Sequence, residues 1–225
     1  MRYKGIFIDA DDTLFDFKRG ERIAAGRVLE HLGILEGGSL EAYHEINAAL
    51  WRDLEKGLTT QAELKVRRFE LLMERYGVSG DPAEAAEFYM DALSEQSILL
   101  PGALEAVERI AEKLPVSIVT NGISRVQRGR MGRSPLRHLI KGFVISEEIG
   151  IAKPDPRVLE IALKDLGVDP GDALMTGDGL ADMRCARNAG VDGCWLNPDG
   201  KTLPEDTKPR YEIRDISLLP DIALQ

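Results

Sequence analysis

The sequence predicts an α/β fold, a doubly wound parallel sheet that carries an inserted all-helical domain. From residue 101 onward, short apolar runs alternate with helical patterns, which is typical of parallel sheets covered by helices on both faces. Between the first apolar run and residue 97 the pattern is helical throughout. We therefore expect a core domain formed by residues 1–15 and 97–225, and a helical domain formed by residues 16–96. A chain of 225 residues can bury a core of this size and carry a smaller insert.

The first predicted strand, Ile6–Ile8, ends abruptly in acidic residues. Three consecutive apolar residues indicate a strand buried on both faces, and the end of such a strand is where open α/β sheets bind ligands. Asp9 and Asp11 would repel each other there unless a cation or a proton separates their roles. Bound Mg²⁺ would do so, since it takes one or two carboxylates together with phosphate oxygens and water. A solvated turn is the alternative, because Asp12 and Thr13 also suit turns and helix caps.

The insert is predicted to contain four helices separated by glycine-containing breaks. They are expected near 16–33, 40–56, 60–77 and 82–96. We expect this insert to lie above the acidic strand end as a lid. Its residues Trp51, Arg68 and Phe69 could contact a substrate, but aromatic residues at helical spacing usually belong to a core.

The remaining strands and helices alternate to the end of the chain. The predicted strands are Val116–Val119, Phe143–Ile145, Ala173–Thr176, Gly193–Leu196 and Tyr211–Ile213. The helices are predicted near 103–113, from about 124, and near 155–167, 180–189 and 215–224. This alternation indicates a parallel, doubly wound sheet.

Composition excludes several classes of protein. A formal net charge of −9 argues against binding to a nucleic acid polymer or to an anionic membrane. The two cysteines, Cys185 and Cys194, form no CxxC pair, which argues against a disulfide framework or a thiolate zinc site. With no apolar segment of signal-peptide or membrane-spanning length, we expect a cytoplasmic protein. For its assembly we expect a monomer or a homodimer.

Polar residues follow four of the predicted strands. They are Asp9 with Asp11, then Thr120, Asn121 and Gly122, then Lys153, and finally Asp178 with Asp182. Because the carboxyl ends of parallel strands open on one edge of the sheet, these groups can converge there. Each segment taken alone also suits a turn, a surface loop or a helix cap, but their joint occurrence favours a functional site.

These four segments resemble the motifs of the haloacid dehalogenase superfamily of phosphotransferases. The motifs occur as Asp9-Ala10-Asp11-Asp12-Thr13, Thr120-Asn121-Gly122, Lys153-Pro154 and Gly177-Asp178-Gly179-Leu180-Ala181-Asp182. The helical insert is similar to the four-helix cap of that family. Flanking segments resemble the YjjG-type pyrimidine 5'-nucleotidases, a subgroup of it. Together with Asp9-Ala10-Asp11-Asp12-Thr13-Leu14-Phe15, these segments are Leu50-Trp51-Arg52, Arg68-Phe69, Ile145-Ser146-Glu147-Glu148 and Cys194-Trp195-Leu196-Asn197.

The resemblance implies a role for each motif residue. Asp9 is the nucleophile that forms an aspartyl-phosphate, Asp11 exchanges protons with the leaving group and with water, and Lys153 neutralises charge. Phosphoryl oxygens would be held by the hydroxyl of Thr120 and the amides of Asn121 and Gly122. The implied Mg²⁺ ligands are Asp9, Asp178, the backbone carbonyl of Asp11, and Asp182, directly or through a bound water. The fourth motif is one residue shorter than in the subgroup, which leaves Asp182 as the partner of Asp178.

Nearby charged residues have simpler interpretations. Asp12 and Asp16 suit turn and helix capping. Five arginines follow the second motif, and we interpret them as a solvated helix face rather than as a phosphate site. They are Arg125, Arg128, Arg130, Arg133 and Arg137.

The predicted function is Mg²⁺-dependent hydrolysis of a small phosphate monoester, with pyrimidine nucleoside monophosphates as substrates. Phosphoglycolate or a sugar phosphate is an alternative substrate, which the core residues do not distinguish. A 2-haloacid dehalogenase needs neither a metal nor a leaving-group proton, so Asp11 and Asp178 argue against it. A non-catalytic protein that binds a phosphorylated ligand is a further alternative, but binding alone would not require both a nucleophile and an acid.

Overall fold

The computed structural model of the chain describes residues 1–225, apart from the side chain of Glu55. The chain forms two compact units. The core unit comprises Met1–Phe17 and Ser97–Gln225, and the helical unit comprises Lys18–Gln96.

The segments that leave and re-enter the core unit pair with each other inside that unit. The amide of Asp16 donates to the carbonyl of Ile98 (2.9 Å), and the amide of Leu100 donates to that of Leu14 (2.9 Å). Phe15 lies between them in the chain with its side chain buried. The inserted residues therefore begin and end at two adjacent points of the core unit.

Four helices build the helical unit, and side-chain caps define where the last two begin. They are α1 (Phe17–His31), α2 (Ser39–Glu55), α3 (Gln61–Tyr76) and α4 (Pro82–Ser94). Thr60 caps α3 in a capping box, in which the Glu63 carboxylate accepts from the Thr60 amide (2.9 Å). Gly77 ends this helix in the left-handed conformation (φ 63°), which glycine adopts without strain. Asp81 caps α4, whose first residue is Pro82.

Arg68 and Phe69 contribute to the interior of the helical unit. The ring of Phe69 is fully buried against those of Tyr43 and Tyr89, with centroids 6.0 and 5.4 Å away. The buried guanidinium of Arg68 donates to the side-chain oxygen of Asn47 (3.3 Å) and lies 4.2 Å from the centroid of the Tyr89 ring. Both side chains therefore stabilise the packing of this unit, as their helical spacing indicates.

A parallel sheet of six strands forms the centre of the core unit, in the order β3-β2-β1-β4-β5-β6. The strands are β1 (Gly5–Ile8), β2 (Val116–Thr120), β3 (Ile140–Ile145), β4 (Ala173–Gly177), β5 (Asp192–Leu196) and β6 (Tyr211–Ile213). Ile6 of β1 lies opposite Val116 on one side and Leu174 on the other. The order runs outward from β1 to one edge and then to the other, which confirms the predicted doubly wound sheet.

Apolar residues on both faces of the sheet pack under helices. The helices of the core unit are α5 (Ala103–Ala111), α6 (Ser124–Arg133), α7 (Ser146–Ile149), α8 (Arg157–Leu166), α9 (Leu180–Asn188) and α10 (Leu219–Ala223). Ile6 and Ile8 belong to a core with residues of α5 and α10, whereas Phe7 belongs to a second core with residues of α8 and α9. Because successive side chains of a strand point to opposite faces, the apolar run in β1 is explained by burial on both.

Two elements differ in extent from their sequence patterns. β3 begins at Ile140 rather than at residue 143, because it lies at the edge of the sheet and its outer half is only partly covered. The tail, predicted as one helix over 215–224, forms a 3₁₀ turn at Ile216–Leu218 and then α10, where Pro220 fits the first turn. Within the described residues, none of the helices combines the length and apolar character that crossing a membrane requires.

Candidate active site

The carboxyl ends of β1, β2 and β4 bring three predicted site segments to one edge of the sheet. Asp9 directly follows β1, and its amide donates to the carbonyl of Thr176 in β4 (2.9 Å). Thr120 is the last residue of β2, and Asp178 follows the last residue of β4. This edge of an open parallel sheet is where α/β folds build their ligand sites.

Lys153 is the central cation of this edge. Its ammonium group donates to Oδ1 of Asp9 (2.6 Å), to Oδ1 of Asp182 (2.6 Å) and to the carbonyl of Val119 (2.8 Å). The lysine side chain is only 3% exposed, so these contacts replace its hydration. Burial by itself would lower the pKa of Lys153, but the carboxylates of Asp182 and Asp9 raise it above its ordinary value.

Three carboxylates crowd around this lysine. Asp9, Asp178 and Asp182 each offer one oxygen, and these oxygens lie within 4.8 Å of one another. Burial raises the pKa of Asp9 to about 8, against the opposing effect of Lys153. Burial, followed by the charge of Asp182, raises the pKa of Asp178 to about 6. Burial is thus the main cause of both raised pKa values, and the neighbouring carboxylates, which a single lysine does not balance, add to it.

The donor set of this cluster fits a hard divalent cation. Carboxylate oxygens are the ligands that Mg²⁺ prefers, and a doubly positive ion would offset the excess charge of Asp9, Asp178 and Asp182. Within the described residues, this cluster holds neither a histidine nor a cysteine, so its composition does not suit a zinc site.

Main-chain contacts fix the loop that carries Asp178 and Asp182. The second oxygen of Asp182 accepts from the amide of Gly179 (3.0 Å), and the indole of Trp195 in β5 donates to the carbonyl of Asp178 (2.9 Å). A side chain at Gly177 would overlap the carboxyl group of Asp182. Glycine at 177 therefore permits the close approach that lets Asp182 reach Lys153.

Asp11 is held by α6 rather than by the lysine. Gln127 donates to Oδ2 of Asp11 (2.8 Å), and Arg130 forms an ion pair with Oδ1. Arg130 is 1% exposed, and its guanidinium lies 4.9 Å from the centroid of the Phe15 ring. For Arg130, the interpretation of the arginine cluster as a solvated helix face is wrong, because its side chain points inward to pair with Asp11.

The other four arginines of that cluster agree with the sequence interpretation. Their side chains are exposed. They are Arg125, Arg128, Arg133 and Arg137. Arg128, for example, pairs with Glu148 at the surface.

The loop after β2 joins the lysine segment to α6. The Asn121 side chain accepts from the amide of Lys153 (2.8 Å) and donates to its carbonyl (2.9 Å). The amide of Gly122 donates to the hydroxyl of the buried Thr120 (3.1 Å). A side chain at 122 would overlap Gln127, so the loop and α6 are in close contact. The side chain of Asn121 thus serves the scaffold, so the phosphate-binding role predicted for this residue would fall to its backbone amide.

Three residues important to this geometry were not among the predicted site residues. Gln127 and Arg130 are three apart, which places them on one face of a helix that directly follows the second motif. That spacing could have indicated that both side chains point toward the site. The four exposed arginines nearby instead favour the interpretation of the whole helix as solvated. Trp195 belongs to a segment that resembles the nucleotidase subgroup, but a sequence alone does not indicate which carbonyl an indole will reach.

Comparison with known proteins gives a consistent family assignment. The family model of haloacid dehalogenase-like hydrolases matches residues 3–190. The pyrimidine 5'-nucleotidase YjjG of Escherichia coli is 33% identical over 224 residues, covering 99% of this chain and 98% of that protein. The pyrimidine 5'-nucleotidase PynA of Streptococcus pneumoniae is 33% identical over 217 residues, covering 95% of this chain and 92% of that protein.

A solved structure agrees with this assignment over the whole chain. The crystal structure of the HAD-hydrolase YfnB from Bacillus subtilis, bound to magnesium, has a TM-score of 0.91 at 33% identity and covers 99% of both chains. A likeness of this extent, in sequence and in fold together, shows that this chain belongs to the haloacid dehalogenase-like hydrolases.

Proposed function

We propose that this chain is a Mg²⁺-dependent phosphomonoester hydrolase that acts through an aspartyl-phosphate, with pyrimidine nucleoside monophosphates as substrates. The observation that carries the proposal is the buried ammonium of Lys153, bonded to both Asp9 and Asp182 beside Asp178. A phosphate monoester is a dianion, so an anionic nucleophile needs positive charge around the phosphoryl group before it can attack. This edge of the sheet offers a nucleophilic carboxylate, a fixed cation and ligands for a metal.

Mg²⁺ would be held by Asp9, Asp178 and the backbone carbonyl of Asp11, with Asp182 bound directly or through water. When bound, it supplies the positive charge that neutralises phosphoryl oxygens and keeps the carboxylates ionised. Lys153 supports the ionised form of Asp9 from the other side. The hydroxyl of Thr120 and the amide of Asn121 are the proposed donors to the remaining phosphoryl oxygens. The amide of Gly122 would join them only by giving up its bond to the Thr120 hydroxyl.

The proposed reaction has two steps that use the same pair of aspartates. In the first, an oxygen of Asp9 bonds to phosphorus, the ester P–O bond breaks, and Asp11 gives its proton to the departing alkoxide. In the second, a water oxygen bonds to phosphorus, Asp11 takes a proton from that water, and the bond between Asp9 and phosphorus breaks. Inorganic phosphate leaves, and both aspartates return to their starting protonation states.

The preference for pyrimidine nucleotides is supported by the relatives rather than by this geometry. YjjG and PynA, both 33% identical to this chain over nearly its whole length, carry the name pyrimidine 5'-nucleotidase. The role of residues 16–96 as a cap over the site remains a prediction.

Phosphate release from a panel of esters tests this proposal. Purified protein with Mg²⁺ is expected to hydrolyse dUMP, UMP or dTMP faster than phosphoglycolate or sugar phosphates, and to lose this activity with a chelator. Asp9→Asn is expected to abolish turnover while the protein stays folded. Asp221→Asn is the matched control, since Asp221 is an exposed surface residue that pairs with Arg109.

Each component of the proposal has its own contradicting result. No phosphate from any ester with Mg²⁺ present would refute phosphatase activity, and halide release from 2-haloacids would then indicate a dehalogenase. Full activity of Asp9→Asn would refute the nucleophile. Faster hydrolysis of phosphoglycolate or a sugar phosphate would overturn the substrate class alone.

A further inference from the structure

We propose that Gln127 and Arg130 of α6 are positioning residues that hold the carboxyl group of Asp11 where it exchanges protons with the reacting ester. The inference rests on the proposed function, in which Asp11 is the acid and base, and it adds the helix that sets its geometry.

The first argument is that the two residues together fix both the position and the rotation of the Asp11 carboxyl group. Gln127 donates to one oxygen of Asp11 at 2.8 Å, and Arg130 pairs with the other. Both donors come from one face of one rigid helix, so they fix the position of the group and its rotation about its own axis. The Asp11 side chain is 28% exposed, which leaves its outer side open to a reacting molecule.

The second argument is that this arrangement is poorly explained by stability. Arg130 is buried, and burying a charged pair is often no better for stability than burying apolar side chains of similar volume. Within the part of the chain that the structure describes, Nε of Arg130 and Oε1 of Gln127 are also buried without a hydrogen-bond partner. Each such atom loses its hydrogen bonds to water on folding without gaining a replacement, which destabilises the folded state. A helix selected only to pack against Phe15 and Phe17 would do better with methionine or leucine at these positions.

The third argument is that Gln127 also contacts the proposed phosphate-binding loop. Its side chain occupies the space beside Gly122 that a Cβ would fill, and the same side chain bonds to Asp11. One residue therefore sets the position of the proton-exchanging group relative to the loop that is proposed to hold the phosphoryl oxygens. That relation is what an in-line displacement with a protonated leaving group requires.

The competing explanation is that Arg130 only anchors α6. Substituting an anchor and substituting a positioning residue have different effects on rate. Only for a positioning residue does the decrease in rate depend on the leaving group of the ester. The alkoxide of a nucleotide must be protonated as it leaves, whereas the nitrophenolate of p-nitrophenyl phosphate leaves without a proton. A general disturbance of the site slows both esters alike, but a displaced Asp11 slows the first bond cleavage of the nucleotide selectively.

The experiment compares the first turnover of dUMP and of p-nitrophenyl phosphate by rapid quench in Arg130→Met and Gln127→Leu, with folding checked by circular dichroism. Since a positioned general acid contributes about 10²–10⁴-fold, we expect Arg130→Met to slow the first turnover of dUMP about 100-fold and that of p-nitrophenyl phosphate less than about fivefold. The variant should release a burst of about one equivalent of nitrophenolate and then turn over slowly, because Asp11 is also needed for the attack by water. Gln127→Leu should show the same selectivity with a smaller loss.

Arg133→Met is the matched control, since it makes the same change at an exposed position of the same helix and should leave both rates unchanged. If Arg130→Met is not folded, Gln127→Leu and Arg130→Lys, which retains the cation, decide the question. Equal slowing of both esters, or no slowing of either, overturns the positioning role while the phosphatase function stands. If the unmodified protein and Arg133→Met cleave neither ester, the proposed function fails instead.

Discussion

Replacing Lys153 with methionine tests the electrostatic account of the site most directly. The substitution keeps an unbranched side chain, one atom shorter, and removes the cation that bonds to Asp9 and Asp182 at 2.6 Å. In the metal-free protein this leaves both carboxylates, with Asp178, buried or partly buried without a counter-charge. Breaking one buried ion pair by removing a partner costs about 3–5 kcal/mol. Because the two pairs share one lysine and do not add, we expect the core unit to lose about 4 kcal/mol of its free energy of unfolding.

The free energy of unfolding that Lys153→Met loses is also expected to depend on pH. Burial raises the pKa of Asp9, so the folded state binds more protons than the unfolded state between the two pKa values, and stability decreases as pH rises through that range. Without the opposing charge of Lys153, the pKa of Asp9 in the folded state rises further. The deficit of Lys153→Met should therefore be larger at neutral pH than at acidic pH, where the carboxylates are protonated in both states.

Urea unfolding followed by tryptophan fluorescence measures this loss. The chain has two tryptophans, and in a Trp51→Phe background only Trp195 of the core unit reports. With a denaturant slope of about 2 kcal/mol per molar urea, a loss of about 4 kcal/mol moves the midpoint by about 2 M. Lys4→Met is the control, because Lys4 forms a salt bridge of the same 2.6 Å length to Asp172 but its side chain is 72% exposed.

The exposed pair should contribute less than about 1 kcal/mol. A loss in Lys153→Met no larger than that of the control would refute the description of the site as a buried cluster short of positive charge. Adding Asp182→Asn to Lys153→Met should restore part of the stability, since it removes one of the uncompensated carboxylates.

Two further predictions concern residues around the site. Trp195→Phe keeps an aromatic ring at this position but removes the N–H that fixes the carbonyl of Asp178. We therefore expect it to weaken Mn²⁺ binding about tenfold, as measured by electron paramagnetic resonance. Trp51→Phe is the control, and an unchanged affinity in Trp195→Phe would show that the indole contact does not orient the ligand. Burial raises the pKa of the Cys185 thiol to about 11 and that of Cys194 to about 12, so neither should react with a thiol reagent at mildly alkaline pH until the protein is unfolded. A fast-reacting equivalent in the native protein would contradict that burial.

The strands at the centre of the sheet were predictable because each lies in one uniform environment. Ile6–Ile8 is apolar without interruption since both faces of β1 are covered. At the edge, β3 is partly exposed, so Lys141 and Gly142 interrupt its apolar pattern and its first half was not predicted. A local apolar pattern indicates which residues are buried. Strand prediction from that pattern therefore fails where burial changes along one strand.

The site was predictable to the extent that its residues follow strand ends. Asp9, Lys153 and Asp182 converge because parallel strands share one carboxyl edge, and the spacing of the motifs already contains that information. The inward direction of Arg130 depends instead on how α6 is rotated against Asp11. Helix rotation is set by tertiary packing, which composition within an arginine-rich helix does not reveal.

The main-chain bonds that join Asp16 to Ile98 and Leu14 to Leu100 hold the two segments that flank the insert next to each other, and we call this pair of segments the neck. Both sides of that neck are fastened within the sheet-bearing unit, so their spacing does not depend on the sequence that they enclose. We therefore expect that a foreign segment with neighbouring termini, spliced at these two points, would leave the register between β1 and β2 unchanged. In such a replacement the lysine and its carboxylates, which belong to the sheet-bearing unit, would stay in place.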